Sequence, residues 1–222
     1  MRTLYESILD DIDTNLKHGD EDIIVNSIQE YINTNYNCLD ILVISKKPNK
    51  SGLYEVSCNG NVYVKNKNIT SLTNDMFTWA TINDSFICKD LLKLDTLKGA
   101  PKKVIGDFHC IGCNGLKDLK GAPKEINGDF LCYSCKNLKS LKGAPKEVGK
   151  DFYCRWCDSL TSLEGAPQKV GGGFDCRWCN ILTSLKGAPK EVGESFNCEG
   201  CRKKFKENDV RLVSNVKGYI YC

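Results

Sequence analysis

Downstream of Ile82, apolar residues return on one schedule. Ile82, Val104, Ile126, Val148, Val170 and Val192 recur every 22 residues, each four residues before an aromatic: Phe86, Phe108, Phe130, Phe152, Phe174 or Phe196. Two residues beyond each aromatic stands a cysteine (Cys88, Cys110, Cys132, Cys154, Cys176, Cys198), and leucines follow at Leu94/Leu97, Leu116/Leu119, Leu138/Leu141, Leu160/Leu163 and Leu182/Leu185. Side chains alternate along a strand, so Phe-x-Cys predicts a short strand with one inward face, and the leucines point inward from a return arc. Gly99-Ala100-Pro101 recurs at Gly121, Gly143, Gly165 and Gly187, and this corner holds five of the six prolines. Proline fixes φ where no ladder N–H is needed, and glycine supplies the conformational freedom of a turn. A unit this short cannot bury its apolar edge alone. Successive units must stack into a solenoid, with strands ~4.8 Å apart in a parallel sheet.

Ahead of the repeats the pattern changes. Leu4, Tyr5, Ile8, Leu9, Ile12 and Leu16 predict a helix ended by Gly19; Asp20 is a candidate N-cap for a second, with Ile23, Ile24, Ile28, Tyr31 and Ile32 on one face. Residues 1–38 are therefore expected to form a helical hairpin. Ile41-Leu42-Val43-Ile44 reads as a buried strand. Tyr54–Cys58 and Val62–Val64 flank Asn59-Gly60, which predicts a two-residue β-hairpin. Val62-x-Val64 with Ile69 and Leu72 resembles one irregular coil, so residues 39–85 read as hairpin plus first coil and 86–202 as the regular solenoid. Lys203 to Asn215 lacks the leucines and the turn; Val210, Leu212 and Val213 suggest a short helix, and Val216, Ile220 and Cys222 restore the spacing. Residues 203–222 are expected to be a helix–strand cap. The class is α+β.

Ser140-Leu141-Lys142-Gly143-Ala144-Pro145-Lys146-Glu147-Val148 and Leu160-Thr161-Ser162-Leu163-Glu164-Gly165-Ala166-Pro167 resemble the short leucine-rich repeats of phage and gut-bacterial proteins. The ending Val216-Lys217-Gly218-Tyr219-Ile220-Tyr221-Cys222 and the opening Leu4-Tyr5-Glu6-Ser7-Ile8-Leu9 look like termini of such phage proteins. The resemblance implies a right-handed leucine-rich-repeat solenoid, encoded by a phage or prophage, that serves as a protein-binding scaffold.

Composition narrows the reading further. A net charge of +3 over 222 residues falls short of a dedicated nucleic-acid binder. The start leads into Asp10, Asp11 and Asp13 instead of an apolar signal core, and no run approaches the ~18 apolar residues of a membrane span. A cytoplasmic protein, in a host cell or associated with a virion, is expected. There its 14 cysteines would be reduced thiols or metal ligands.

Two readings of the cysteines compete. Cys110/Cys113, Cys132/Cys135, Cys154/Cys157, Cys176/Cys179 and Cys198/Cys201 are Cys-x-x-Cys pairs at the spacing of four-cysteine zinc sites. Alternatively they form a ladder of small buried hydrophobes. The ladder is favoured, with no cofactor expected, because both positions keep phase with the inward Phe and Leu. Leu91 replaces the second cysteine in one coil, and five pairs cannot all be matched two to a zinc. Disulfides between coils are not expected, because stacked equivalent side chains run parallel.

The outward strand positions form a strip: Ile87, His109, Leu131, Tyr153, Asp175, Asn197 and Tyr221. Beside it, Arg155-Trp156 and Arg177-Trp178 occupy equivalent places in adjacent coils, and Trp and Arg are enriched at interface hot spots. Tyr153, Arg155, Trp156, Asp175, Arg177 and Trp178 are the candidate contacts with a protein partner. His109 reads as a surface histidine. Lys98, Lys120, Lys142 and Lys186, with Lys102, Lys124, Lys146 and Lys190, make two rows that Glu125, Glu147 and Glu191 partly offset, which reads as a solvated face. No Gly-x-Ser-x-Gly, His-Glu-x-x-His or Gly-x-x-x-x-Gly-Lys motif occurs, so no enzyme is expected. The leading expectation is a non-enzymatic interaction module; the alternatives are a zinc module and a structural virion or scaffold component held through its N-terminal helices.

Overall fold

A computed structural model describes residues 21–38 and 40–222. The first expected helix, Leu4 to Leu16, lies outside the described residues. The chain is a β-solenoid of stacked coils. Within each regular coil the Phe-x segment is one short strand and the residues around the preceding Val form a second.

Among the described residues the first set builds a nine-stranded sheet: β1 (Tyr36–Cys38), β4 (Val62–Val64), β6 (Phe86–Lys89), β8 (Phe108–Ile111), β10 (Phe130–Leu131), β12 (Phe152–Tyr153), β14 (Phe174–Asp175), β16 (Phe196–Asn197) and β18 (Ile220–Tyr221). The second set forms a five-stranded sheet, β2 (Leu42–Ile44), β3 (Tyr54–Cys58), β5 (Phe77–Ile82), β7 (Lys103–Val104) and β9 (Glu125–Ile126). A four-stranded one follows: β11 (Glu147–Val148), β13 (Lys169–Val170), β15 (Glu191–Val192) and β17 (Asn215–Val216). The backbone bridges the break between them, the Gly149 N–H donating to the Ile126 carbonyl at 3.0 Å. All pairings are parallel except β1 with β4 and β2 with β3.

Register puts Phe86, Phe108, Phe130, Phe152, Phe174 and Phe196 opposite one another, with successive ring centroids 5.0–6.0 Å apart. These rings, the leucines and the cysteines fill the interior and are almost wholly buried. Trp79 continues the column, 5.9 Å from Phe86 and 5.2 Å from Tyr36. Helix α1 (Glu21–Asn35) packs beside it, burying Ile28 and Ile32 and setting Tyr31 edge-on to Phe77 at 5.9 Å. Each Gly-Ala-Pro corner requires a positive φ, from 85° to 99° across Gly99, Gly121, Gly143, Gly165 and Gly187. No helix among the described residues is long and apolar enough to cross a membrane.

Three expectations are corrected. The Asn59-Gly60 hairpin does not form: β3 and β4 lie in different sheets, and neither turn residue has a positive φ. Val56, Cys58, Val62 and Val64 all face the same interior, so the chain bends around a corner where a hairpin would have folded it back. The antiparallel pair is instead β2 with β3, joined through a loop in which Gly52 takes φ 77°. Ile41–Ile44 is not a buried strand either. Leu42–Ile44 is an edge strand: Leu42 and Ile44 pack against the core, Val43 is 54% exposed, and Ile41, just ahead of the strand, is 66% exposed. The segment 1–38, expected to be helical, ends instead in β1, which pairs Tyr36 with Val64.

At the other end, α2 (Glu207–Arg211) precedes β17 and β18, which extend the last two ladders. Asp209 accepts from the Lys206 N–H at 2.9 Å, a first-turn carboxylate satisfying a free helix donor. Val210 is buried, whereas Leu212 is 83% exposed, so this short segment buries one apolar position only.

Candidate functional site: the arginine–tryptophan face

The turn that leaves each Phe-x-Cys strand has one conformation throughout. Its third residue is left-handed in every coil: Asp90 (φ 54°), Gly112 (64°), Ser134 (59°), Trp156 (55°), Trp178 (58°) and Gly200 (68°). Asp, Gly and Ser are small or hydrogen-bonding and enter this region readily; a bulky residue there is strained by ~1–3 kcal/mol. Two successive coils nevertheless carry tryptophan. The turns are tied together along the stack, Trp156 N–H donating to the Arg177 carbonyl at 3.0 Å and Trp178 N–H to the Glu199 carbonyl at 2.9 Å.

The left-handed residue turns the following cysteine into the core. The thiols of Cys135, Cys157, Cys179 and Cys201 donate to the carbonyls of Cys110, Cys132, Cys154 and Cys176 in the preceding coil, at 2.9, 3.3, 3.3 and 3.2 Å. Cys113 reaches the Cys88 carbonyl at 3.7 Å. Burial pushes Cys88, Cys132, Cys135, Cys154 and Cys157 well above the usual thiol range, and Cys113 and Cys179 up to about 12. A zinc ligand must be a thiolate. The thiols of Cys113, Cys135, Cys157, Cys179 and Cys201 each face a backbone carbonyl of the coil before, and among the described residues no group of three or more Cys, His, Asp or Glu is placed to hold a metal ion. The geometry is that of an interior lining.

On the outer face the expected strip is in register, Ile87, His109, Leu131, Tyr153, Asp175, Asn197 and Tyr221 standing opposite one another in turn. Its members are not equally outward. The Asp175 side chain is only 7% exposed, because two arginines fold over it. Arg177 grips it from the same coil through Nε to Oδ1 at 3.0 Å and a terminal nitrogen to Oδ2 at 2.8 Å; the Arg177 N–H also donates to Oδ1 at 3.0 Å. Arg155 approaches Oδ2 from the previous coil at 3.5 Å. The hydrogen bond to Asp175 holds the Arg177 guanidinium more basic than usual.

Aromatic rings surround Arg155. Its guanidinium carbon lies 4.8, 5.3 and 4.9 Å from the ring centroids of Tyr133, Tyr153 and Trp156, within cation–π range. Trp156 meets Tyr133 edge-on at 6.4 Å. Trp178 rests on the next coil: a Cβ on Gly200 would lie 2.3 Å from its six-membered ring, so Gly200 is both the left-handed residue and the seat of the indole. Trp156 has no such seat, since the equivalent residue is Trp178 itself. The indoles remain 44% and 49% exposed.

The six candidate contacts are therefore brought together but divide into two layers. Arg155 and Arg177 form a base around the single carboxylate of Asp175, Tyr153 is half-buried, and Trp156 and Trp178 reach solvent. Asp175 as an outward contact is corrected on this point: pairing with two arginines allows its burial. His109 is also corrected. Its side chain is 22% exposed, with Nε2 4.0 Å from the Asp107 carboxylate, and burial lowers its pKa against the opposing pull of Asp107 and Asp129.

Sequence reasoning missed a second row beside the strip. The residue before each aromatic is Ser85, Asp107, Asp129, Asp151, Gly173 or Ser195, and the first four side chains each accept from the N–H of the equivalent residue one coil on. Ser85 accepts from Asp107 at 3.1 Å, Asp107 from Asp129 at 2.8 Å, Asp129 from Asp151 at 3.0 Å, and Asp151 from Gly173 at 2.7 Å. Burial and the flanking carboxylates raise the Asp129 pKa. The phase of Asp and Ser before Phe was the available signal. Gly173 interrupts the row, leaving a polar notch of about 120 Å³ lined by Asp151, Tyr153, Asp175, Arg177, Glu194, Ser195 and Asn197. The Tyr153 hydroxyl donates to Asp151 at 2.6 Å; burial first, and then this hydrogen bond, raise its pKa far above the ordinary phenol value. The lysine side is compensated by exposed pairs such as Lys186–Glu164 at 2.7 Å and Lys103–Glu125 at 3.1 Å.

No protein-family model, no curated protein and no solved structure matches the chain.

Proposed function

We propose that the chain is a non-enzymatic protein-interaction module on a leucine-rich-repeat scaffold, encoded by a phage or prophage, with the Trp156/Trp178 face as its contact surface. One observation carries this reading. Two large aromatics occupy left-handed positions that neighbouring coils give to Gly, Ser or Asp, and both stay half-exposed. Strain of this kind persists where surrounding structure imposes it and collects at functional sites. Beneath them Arg155 and Arg177 share one buried carboxylate, Asp175, and Arg155 lies against the Trp156 ring, so the indoles stand over a held cationic base and present apolar surface outward.

The test is affinity capture with the full chain beside a Trp156→Ala/Trp178→Ala variant, followed by titration of the recovered partner against both. Loss of the two anchors is expected to weaken binding by at least ~30-fold, about 2 kcal/mol. Equal affinity for both chains rejects the surface. The alternative of attachment through the N-terminal helices is tested by removing residues 1–20. Deleting further would strip Ile28 and Ile32 from the core.

A further inference from the structure

The first cysteines of the coils stand one above another, and the register carries the row on to Cys222: Phe196 opposes Ile220, and the Cys198 N–H donates to the Tyr221 carbonyl at 2.8 Å. At this last step the two sulfurs lie 3.3 Å apart. Adjacent strands set equivalent Cα atoms ~4.8 Å apart, inside the roughly 4.4–6.8 Å range of disulfides. Access also differs here. Cys88, Cys110, Cys132, Cys154 and Cys176 are wholly buried, whereas Cys222 is the one exposed cysteine among the described residues. Thiol–disulfide exchange needs in-line approach of the attacking sulfur to the incoming disulfide, and buried thiols cannot offer it.

We propose that Cys198 and Cys222 are an oxidisable dithiol that closes to a disulfide and staples the last coil to the one before it. This departs, at one step of the stack, from the expectation that coils are not joined by disulfides. The oxidant is a small-molecule disulfide such as oxidised glutathione. Cys222, as thiolate, attacks one of its sulfurs and releases one glutathione thiolate, which takes up a proton. The Cys198 thiol then loses its proton to solvent, and its sulfur attacks the Cys222 sulfur of the mixed disulfide, displacing the second glutathione. Two protein thiols are oxidised by two electrons, and one glutathione disulfide becomes two thiols. The closed loop contains α2 and β17. Burial, with Asp209, Glu207 and Glu199 nearby, raises the Cys222 pKa, so exchange accelerates as pH rises.

The experiment treats the full-length chain with oxidised glutathione, quenches with acid, alkylates free thiols and maps the peptides by mass. The expected product has lost about 2 Da, joins Cys198 to Cys222 and is reversed by dithiothreitol. Cys198→Ser is expected to stop at a glutathione adduct on Cys222, and Cys222→Ser to give neither product. A stable glutathione adduct on Cys222 in the unsubstituted chain overturns the proposal. So does a disulfide mapped to Cys38 and Cys58 with Cys198 and Cys222 alkylated, or no change in mass.

Discussion

Arg177 binds Asp175 from two residues along its own coil, closing a fork in which both carboxylate oxygens are held at 3.0 and 2.8 Å. The geometry is bidentate and the carboxylate buried, so this pair differs from the exposed lysine pairs on the far side. Asp175→Ala would leave Arg155 and Arg177 crowded together without their counter-ion. Removing one member of a buried pair costs about 3–5 kcal/mol, and the partly exposed guanidinium groups reduce that here to about 2 kcal/mol. A lowered urea midpoint with an unchanged slope is expected, together with a shift in the fluorescence of Trp156 and Trp178. An unchanged midpoint would mean that the arginines find water as readily as they find Asp175.

Gly200→Ala sets the Trp178 seat against the backbone. The new Cβ would stand 2.3 Å from the indole at a residue whose φ is 68°, so the ring must leave and the backbone is strained. A destabilisation of about 1–2 kcal/mol is expected, with red-shifted tryptophan emission as the indole swings into water. Gly112→Ala is the comparison. There the obstructing group is the Asp90 carboxylate, the far end of a small side chain that can rotate away, so a smaller loss is expected.

Trp156→Gly separates surface from scaffold. The substitution gives up packing of a half-exposed ring and the contact with Arg155, but removes a strained left-handed non-glycine. The two effects are each about 1–2 kcal/mol and opposed, so stability is expected to stay within about 1 kcal/mol of the parent. Phe152→Ala, deep in the ring column, is expected to lose about 3–5 kcal/mol. Chemical denaturation of the two variants side by side is the measurement. A loss from Trp156→Gly as large as that from Phe152→Ala would make the indole a packing element.

The stack was legible because Phe86 and its successors recur in one phase with Cys and Leu, and a fixed phase dictates which residues meet. The second sheet was not, because strands as short as Lys169–Val170 are too brief for alternation to show. Asn59-Gly60 misled for a related reason: a local turn preference is worth less than placing Cys58 and Val62 in one core. At the face itself, Arg-Trp repetition located the site but not its layering. A lone Asp in a strip of exposed positions looks solvated until two arginines are seen to close over it. The left-handed column, by contrast, was present in the sequence as Asp90, Gly112, Ser134 and Gly200 around two tryptophans.

The cysteine lining makes the fold sensitive to alkali. Cys113 and Cys179 have folded-state pKa values of about 12 against an ordinary 9.0, with burial the leading cause in each. At a pH between those limits the unfolded chain has released the thiol proton and the folded chain retains it. The folded state then binds more protons, so stability is complete below about pH 9 and declines as pH rises toward 12. Each such thiol adds up to ~1.4 kcal/mol per pH unit to the slope, and several act together. Urea midpoints at about pH 7.5, 9 and 10 are expected to fall at each step, with the larger drop between the last two. Cys113→Ser/Cys179→Ser replaces two titrating donors with hydroxyls able to reach the same Cys88 and Cys154 carbonyls, and is expected to flatten the decline. A midpoint that falls equally in both chains would show that Cys113 and Cys179 do not carry the alkaline loss.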